Sequence, residues 1–172
     1  GREALRWSAV GYDTYTKLDQ SPVTSADLAV NQILRDSLST AFPEDGWLSE
    51  ETEDNQDRLT RTRVWIVDPI DGTRSFMRGL PEFCLSVALV EHGVPTVAAI
   101  FNPATGEFFS AIRGRGIRVT RLPQADHPPF ASSDRPLALV NPWEFRVGRF
   151  HALEPHLHCR PIGSIAYALA LV

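Results

Sequence analysis

Two carboxylates three residues apart, Asp68 and Asp71, stand at the end of an apolar run and are followed at once by Gly72 and Thr73. Acids held this close repel each other unless a cation lies between them, and hard divalent ions take oxygen ligands of this kind. Pro69 fixes φ between the two acids, and Gly72 permits a sharp turn and a close backbone approach to a ligand. Thr73 to Arg78 reads as a short helix whose first free amides point back at the same spot, which sets an anion site beside the cation site. A second acidic pair, Glu50-Glu51, follows another short apolar segment, and the two clusters meet if their strands end side by side. Asp-Pro and Asp-Gly pairs are also common turn formers, so a plain loop is the competing reading of the motif.

Defined elements must hold these groups in place. Val64-Trp65-Ile66-Val67, rich in β-branched and aromatic residues, reads as a buried strand that delivers Asp68 at its end. Upstream, Gly1-Arg2-Glu3-Ala4-Leu5 already lies in a helix, and Ser21-Pro22-Val23-Thr24 is extended because proline disfavours helix before it. Thr24 or Ser25 then caps a helix starting near Ala26, with Leu28, Ile33, Leu34 and Leu38 as its apolar face. Asp27 falls in the first turn, where compensation of the helix dipole is one sufficient role. Phe42 to Gly46 reads as a turn and Trp47-Leu48-Ser49 as a short strand ending at Glu50-Glu51, while 52–61 has no apolar period and reads as an exposed loop. Downstream, 83–90, 95–101 and 107–112 form an antiparallel meander, with Gly114-Arg115-Gly116 a hairpin end and not a phosphate loop. Leu137 to Val140 reads as a strand and Asn141-Pro142-Trp143-Glu144 as the start of a helix with proline in its first turn. Gly163-Ser164-Ile165-Ala166 opens a last helix, which serves either as core or as an amino end facing a polar ligand.

At 172 residues, 43% hydrophobic and a net charge of −4, the chain reads as one soluble unit with room for a core. The charge balance and the lack of a basic run exclude a nucleic-acid polymer as partner but suit a small phosphorylated compound bound through a metal. Cys84 and Cys159 are too far apart to suggest zinc or a redox pair, so inert thiols in a reducing compartment are expected. No apolar run reaches the length of a membrane span and the first residues lack a signal-peptide pattern, so no membrane partner and a cytoplasmic location are expected. His92, His127, His151, His156 and His158 have no spacing tied to the acids, and none is expected to be a ligand.

The run Trp65-Ile66-Val67-Asp68-Pro69-Ile70-Asp71-Gly72-Thr73, followed by Phe76, Gly79 and Pro81, resembles the signature of the inositol monophosphatase superfamily. Lys17 through Ser21-Pro22-Val23-Thr24-Ser25-Ala26-Asp27, Leu48-Ser49-Glu50-Glu51, and Gly163-Ser164 follow the family's order and spacing, so the resemblance covers nearly the whole chain. It implies an α+β or α/β fold, a layered α-β-α-β-α sandwich of the sugar-phosphatase type, with an antiparallel N-terminal sheet packed on a helix pair. Residues 1–120 would form the metal- and phosphate-binding half, and 121–172 the start of a truncated C-terminal α/β half.

The resemblance also implies Mg²⁺, with two or three ions in the complete family site. Glu50, Asp68 and the Ile70 carbonyl would hold the first ion, and Asp68 would bridge to a second held by Asp71. Glu50 and Thr73, the latter oriented by Asp27, would position the attacking water, and Lys17 would touch metal-bound water. Asp71, Gly72, Thr73, Gly163, Ser164 and Ile165 would contact substrate or its phosphate, and 52–61 would form a flap. The family's third carboxylate lies in a W-D-x-A-A-G stretch beyond Val172, so the second ion is expected to be weak in this chain. The implied activity is Mg²⁺-dependent hydrolysis of a small phosphorylated polyol such as inositol monophosphate, by a homodimer. Ser21 to Asp27 and Arg74 also resemble the 3′(2′),5′-bisphosphate nucleotidase branch. A non-catalytic metal- or phosphate-binding protein of the same fold is the alternative from another class.

Overall fold

The computed structural model describes residues 1–122 and 135–172; His127 lies outside them. The chain begins with α1 (Arg2–Val10), a short hairpin of β1 (Thr14–Thr16) and β2 (Pro22–Thr24), and the long helix α2 (Ser25–Ala41). Thr24 caps α2 reciprocally: its hydroxyl accepts from the Asp27 amide while the Asp27 carboxylate accepts from the Thr24 amide. The core face of α2 is Ala26, Val30 and Leu34, spaced four apart, with Asp27 and Asn31 also buried. Leu28 and Ile33, expected on that face, are instead 44% and 49% exposed: at 3.6 residues per turn Leu28 falls on the far side of the helix, and Ile33 falls at the flank of the core face.

A sheet with strand order β3-β4-β5-β6-β7-β8 forms the middle layer. Its members are β3 (Gly46–Ser49), β4 (Arg63–Asp71), β5 (Cys84–Glu91), β6 (Val94–Asn102), β7 (Glu107–Ile112) and β8 (Gly116–Arg121), and α3 (Thr73–Met77) follows β4. From β4 onward the pairs are antiparallel, but β3 joins β4 in parallel, which the expectation of an antiparallel sheet missed. The return from the end of β3 to the start of β4 runs through 50–62, and this loop-like segment contains a 3₁₀ turn, Gln56–Thr60, capped by Asn55.

Alternate residues of the sheet feed two cores. Leu85 joins Ala4, Ala26, Val30, Ile70, Phe76 and Phe83 beneath α1 and α2. Its neighbour Cys84 joins Phe109, Ile162 and Tyr167 on the opposite face, beneath α5 (Ile165–Ala170). Phe76 and Phe83 meet edge to face at 5.2 Å between centroids, which locks α3 onto the start of β5. The second small sheet pairs β9 (Leu137–Val140) in parallel with β10 (His158–Pro161), with α4 (Pro142–Arg146) between them. Asn141 caps α4 and Pro142 opens it, as its sequence predicts. No helix among the described residues is long and apolar enough to cross a membrane.

Candidate metal and phosphate site

The parallel pairing of β3 and β4 creates the acidic cluster. Ser49 lies opposite Val67, and the Glu50 amide donates to the Val67 carbonyl at 3.3 Å, so Glu50 leaves its strand beside Asp68. Within β4, residues three apart would face opposite sides of a regular strand. The register shifts between Asp68, opposite Ser86, and Asp71, opposite Cys84, so one extra residue is accommodated around Pro69, which has no amide to donate. The bulge lets both carboxylates act on one region. Burial, then the charges of Glu50 and Asp71, push the Asp68 carboxyl up to about 8. A carboxyl raised by burial and by two neighbouring acids marks a cluster short of positive charge, and its oxygen donors suit a hard divalent cation.

The surrounding acids are tied to protein donors. Lys17 Nζ donates to Glu50 Oε1 at 2.7 Å and to Glu51 Oε1 at 2.6 Å. The side chain of Glu51 is only 5% exposed; burial raises its pKa, and Lys17 opposes that shift. Burial works to lower the Lys17 ammonium, but its bonds to both glutamates prevail and raise it. Asp71 Oδ2 accepts from Ser164 Oγ at 2.7 Å and from the Ala166 amide at 2.6 Å, which joins the signature to the start of α5. Among the described residues no three His, Cys, Asp or Glu side chains close around one point.

Asp27 and Thr73 come together across 46 residues of sequence. Thr73 Oγ1 lies 3.2 Å from Asp27 Oδ1 and 3.1 Å from the Ile70 carbonyl. The other Asp27 oxygen is fixed by the Thr24 amide and hydroxyl, at 2.8 and 2.5 Å. Burial raises the pKa of Asp27, and the bonds from Thr24 and Thr73 work against it. Its role in the cap of α2 and its contact with Thr73 therefore coexist, one on each oxygen.

Gly72 sits at φ 94°, ψ 35°, a left-handed conformation that suits glycine, and a Cβ there would meet the Glu82 carbonyl at 2.9 Å and Ser164 Cβ at 3.2 Å. It starts α3, whose first amides have no partner within the helix. Gly163 packs closer still, since a Cβ would fall 2.1 Å from Ser75 Oγ. Ser164 is fully buried, caps α5 through the Tyr167 amide at 3.0 Å, and lies 3.4 Å from Cys84 Sγ. Burial drives the Cys84 thiol up to about 12, which keeps it protonated. The Ile165 side chain is 74% exposed, so of the three residues expected at this helix start it is Ser164 that reaches the signature directly.

Two features escape a reading of the sequence. The bond from Ser164 to Asp71 spans 93 residues, and its only trace in the sequence is a Gly-Ser pair. A cleft of about 640 Å³ opens beyond Ser75 and Gly163, lined by Arg74, Arg78, Arg146 and Arg160. These arginines are scattered along the chain and form no run.

Comparison with known proteins identifies the family and the fold. The inositol monophosphatase family matches residues 3–172. A histidinol-phosphatase of Mycobacterium tuberculosis is 44% identical over 113 residues, 65% of this chain and 42% of that protein. The 3'(2'),5'-bisphosphate nucleotidase CysQ of Escherichia coli is 38% identical over 104 residues, 60% of this chain and 42% of that protein. The chain thus spans about two-fifths of the length of these relatives. The crystal structure of the extragenic suppressor protein suhB from Bartonella henselae superposes with a TM-score of 0.77 at 28% identity, over 99% of this chain and 69% of that one.

Proposed function

We propose, for a chain that belongs to the inositol monophosphatase family, a Mg²⁺-dependent phosphomonoesterase activity on a small phosphorylated compound. The observation that carries this reading is the meeting of Glu50, Asp68 and Asp71 at adjacent strand ends, directly beside the Gly72-Thr73 turn. Glu50, Asp68, Asp71 and the Ile70 carbonyl would hold the cation. When bound, Mg²⁺ supplies a nucleophilic water at neutral pH and positive charge for the phosphoryl oxygens.

The chain's own residues do the rest. Glu50 accepts the proton of the attacking water on its carboxylate, and the Thr73 hydroxyl orients that water while Asp27 and the Ile70 carbonyl hold Thr73 in place. The amides that open α3 receive phosphate oxygens, with Gly72 allowing the close approach. Ser164 and the Ala166 amide fix the rotamer of Asp71. Lys17 restrains Glu50 and offers its ammonium to water in the site. No side chain here is required as a covalent phosphate carrier.

A phosphorylated polyol such as inositol monophosphate is the first substrate reading. Arg74, immediately after Thr73, favours a bisphosphate nucleotide as the second. Phosphate release from inositol 1-phosphate, histidinol phosphate and adenosine 3′,5′-bisphosphate, with and without Mg²⁺, tests the activity. Mg²⁺-dependent release from at least one is expected; binding without turnover across the panel would assign the fold to a non-catalytic binder instead.

A further inference from the structure

Two side chains one turn apart on α2 reach towards the two groups assigned to the attacking water. Asp27 holds Thr73 directly. Asn31, four residues further on, lies on the same side of the helix and is only 6% exposed. Its carboxamide is engaged at both ends: Oδ1 accepts from Ser49 Oγ at 2.6 Å, and Nδ2 donates to Thr52 Oγ1 at 2.9 Å. Ser49 and Thr52 are the residues on either side of Glu50 and Glu51.

The acidic pair therefore occupies the middle of a four-residue turn whose two ends are tied to one buried side chain. The Thr52 amide donates to the Ser49 carbonyl at 3.4 Å and closes the turn, while the Glu51 amide donates to Ser49 Oγ at 3.3 Å. Trp47 Nε1 also donates to Thr52 Oγ1, at 3.4 Å, and so braces the far end from β3. A buried asparagine commonly does no more than satisfy its own amide. This one spends both of its polar atoms on the ends of a single turn. Position matters there, because the Glu50 side chain is 53% exposed and packing holds it little; the turn that carries it must set where it stands.

Resting on the phosphatase reading above, we infer that Asn31 is a positioning residue for Glu50: by clamping both ends of the 49–52 turn it fixes that carboxylate beside Asp68, as Asp27 fixes Thr73. One side of α2 then sets the spacing of both groups that handle the water, and reacting groups work only within narrow geometric limits. Partners that orient cation-binding groups from behind govern affinity for the cation as well.

Amide hydrogen exchange and calorimetric Mg²⁺ titration of the chain carrying Asn31→Leu, which keeps a similar volume and removes both bonds, test this. Exchange at Glu50, Glu51 and Thr52 should quicken by about tenfold while amides in the middle of β5 keep their rates. Mg²⁺ should bind at least about tenfold more weakly. Val30→Ala opens the core next to Asn31 without touching the turn, and separates a merely structural role: it should lower the melting temperature yet leave turn exchange and Mg²⁺ affinity unchanged. Thr52→Val removes one of the two bonds, so it should move both readouts the same way by less, and add little in the double variant with Asn31→Leu. Circular dichroism establishes that each variant is folded; if Asn31→Leu fails to fold, Thr52→Val decides. Unchanged exchange in the turn of a folded Asn31→Leu, unaltered Mg²⁺ affinity once the turn has loosened, or an equal response to Val30→Ala would each overturn the role. An unaltered chain that binds no Mg²⁺ counts against the metal reading instead, and exchange in the turn then decides whether Asn31 holds it.

Discussion

On the acidic side of the Gly72-Thr73 turn the charged groups are anchored. Glu50 and Glu51 share Lys17, Asp71 takes Ser164 and the Ala166 amide, and Asp27 is bound on both oxygens. On the arginine side, Arg74, Arg78 and Arg146 are exposed and pair with no acid among the described residues. Anchoring suits a centre in which small displacements of a reacting group are costly, since preorganised charge needs no rearrangement during reaction. Long, solvated side chains without an acidic partner carry no such cost. The difference teaches that acidic-side variants should alter both chemistry and stability, whereas arginine-side variants should leave the fold little changed.

The largest effect should come from Asp68→Asn. Phosphate release should fall by about 10²–10³-fold or more, as when a main electrostatic contributor is lost. The rise in melting temperature on adding Mg²⁺ should also disappear. The same variant has a pH signature in chelator. Asp68 in the folded chain holds its proton up to about 8, far above its unfolded value near 3.9, so between those values the folded state carries more protons. Its contribution to stability therefore declines as pH rises through that window. Asp68→Asn should flatten the fall in melting temperature from pH 4 to pH 8; an unaltered slope would remove Asp68 as its cause.

Next in size is Asp27→Asn, which retains an oxygen for the Thr24 cap but loses the charge facing Thr73. Turnover should drop by about 10²-fold with KM little changed, the pattern of a group that matters in the transition state alone. A loss confined to KM would contradict the orienting role. Gly163→Ala should cost about 1–3 kcal/mol in denaturant unfolding, because the new methyl falls on Ser75 Oγ. Full stability would mean the contact between α5 and α3 is looser than 2.1 Å implies. The smallest change belongs to the cleft: Arg78→Gln should shift stability by no more than about 0.5 kcal/mol. A larger loss would show that the arginine side is as anchored as the acidic one and would erase the contrast.

Much of the frame was legible in residue order. The apolar run before Asp68, the Thr24 cap, the Asn141-Pro142 helix start and the Gly163-Ser164 helix start are local signals, each decided by neighbours a few residues away. The orientation of β3 was not legible, because a four-residue strand reads the same in either direction and only its long return through 50–62 sets it parallel. That orientation governs the site: paired the other way, Glu50 would emerge near Arg63 and not near Asp68. The exposed side of α2 was hidden for a related reason, since Leu28 and Ile33 are apolar yet lie where no layer covers them.

The sequence by itself determined which chemistry was possible. Asp68, Pro69, Asp71, Gly72 and Thr73 are consecutive or nearly so, and the types and conformational limits of such residues act over a single turn of chain. Only the tertiary structure decided what surrounds them. Glu50, Lys17 and Ser164 reach the signature through strand pairing and layer packing, and Arg78 and Arg146 reach one cleft from helices far apart in sequence. Such encounters depend on how separate elements cross in space, and no local preference encodes that.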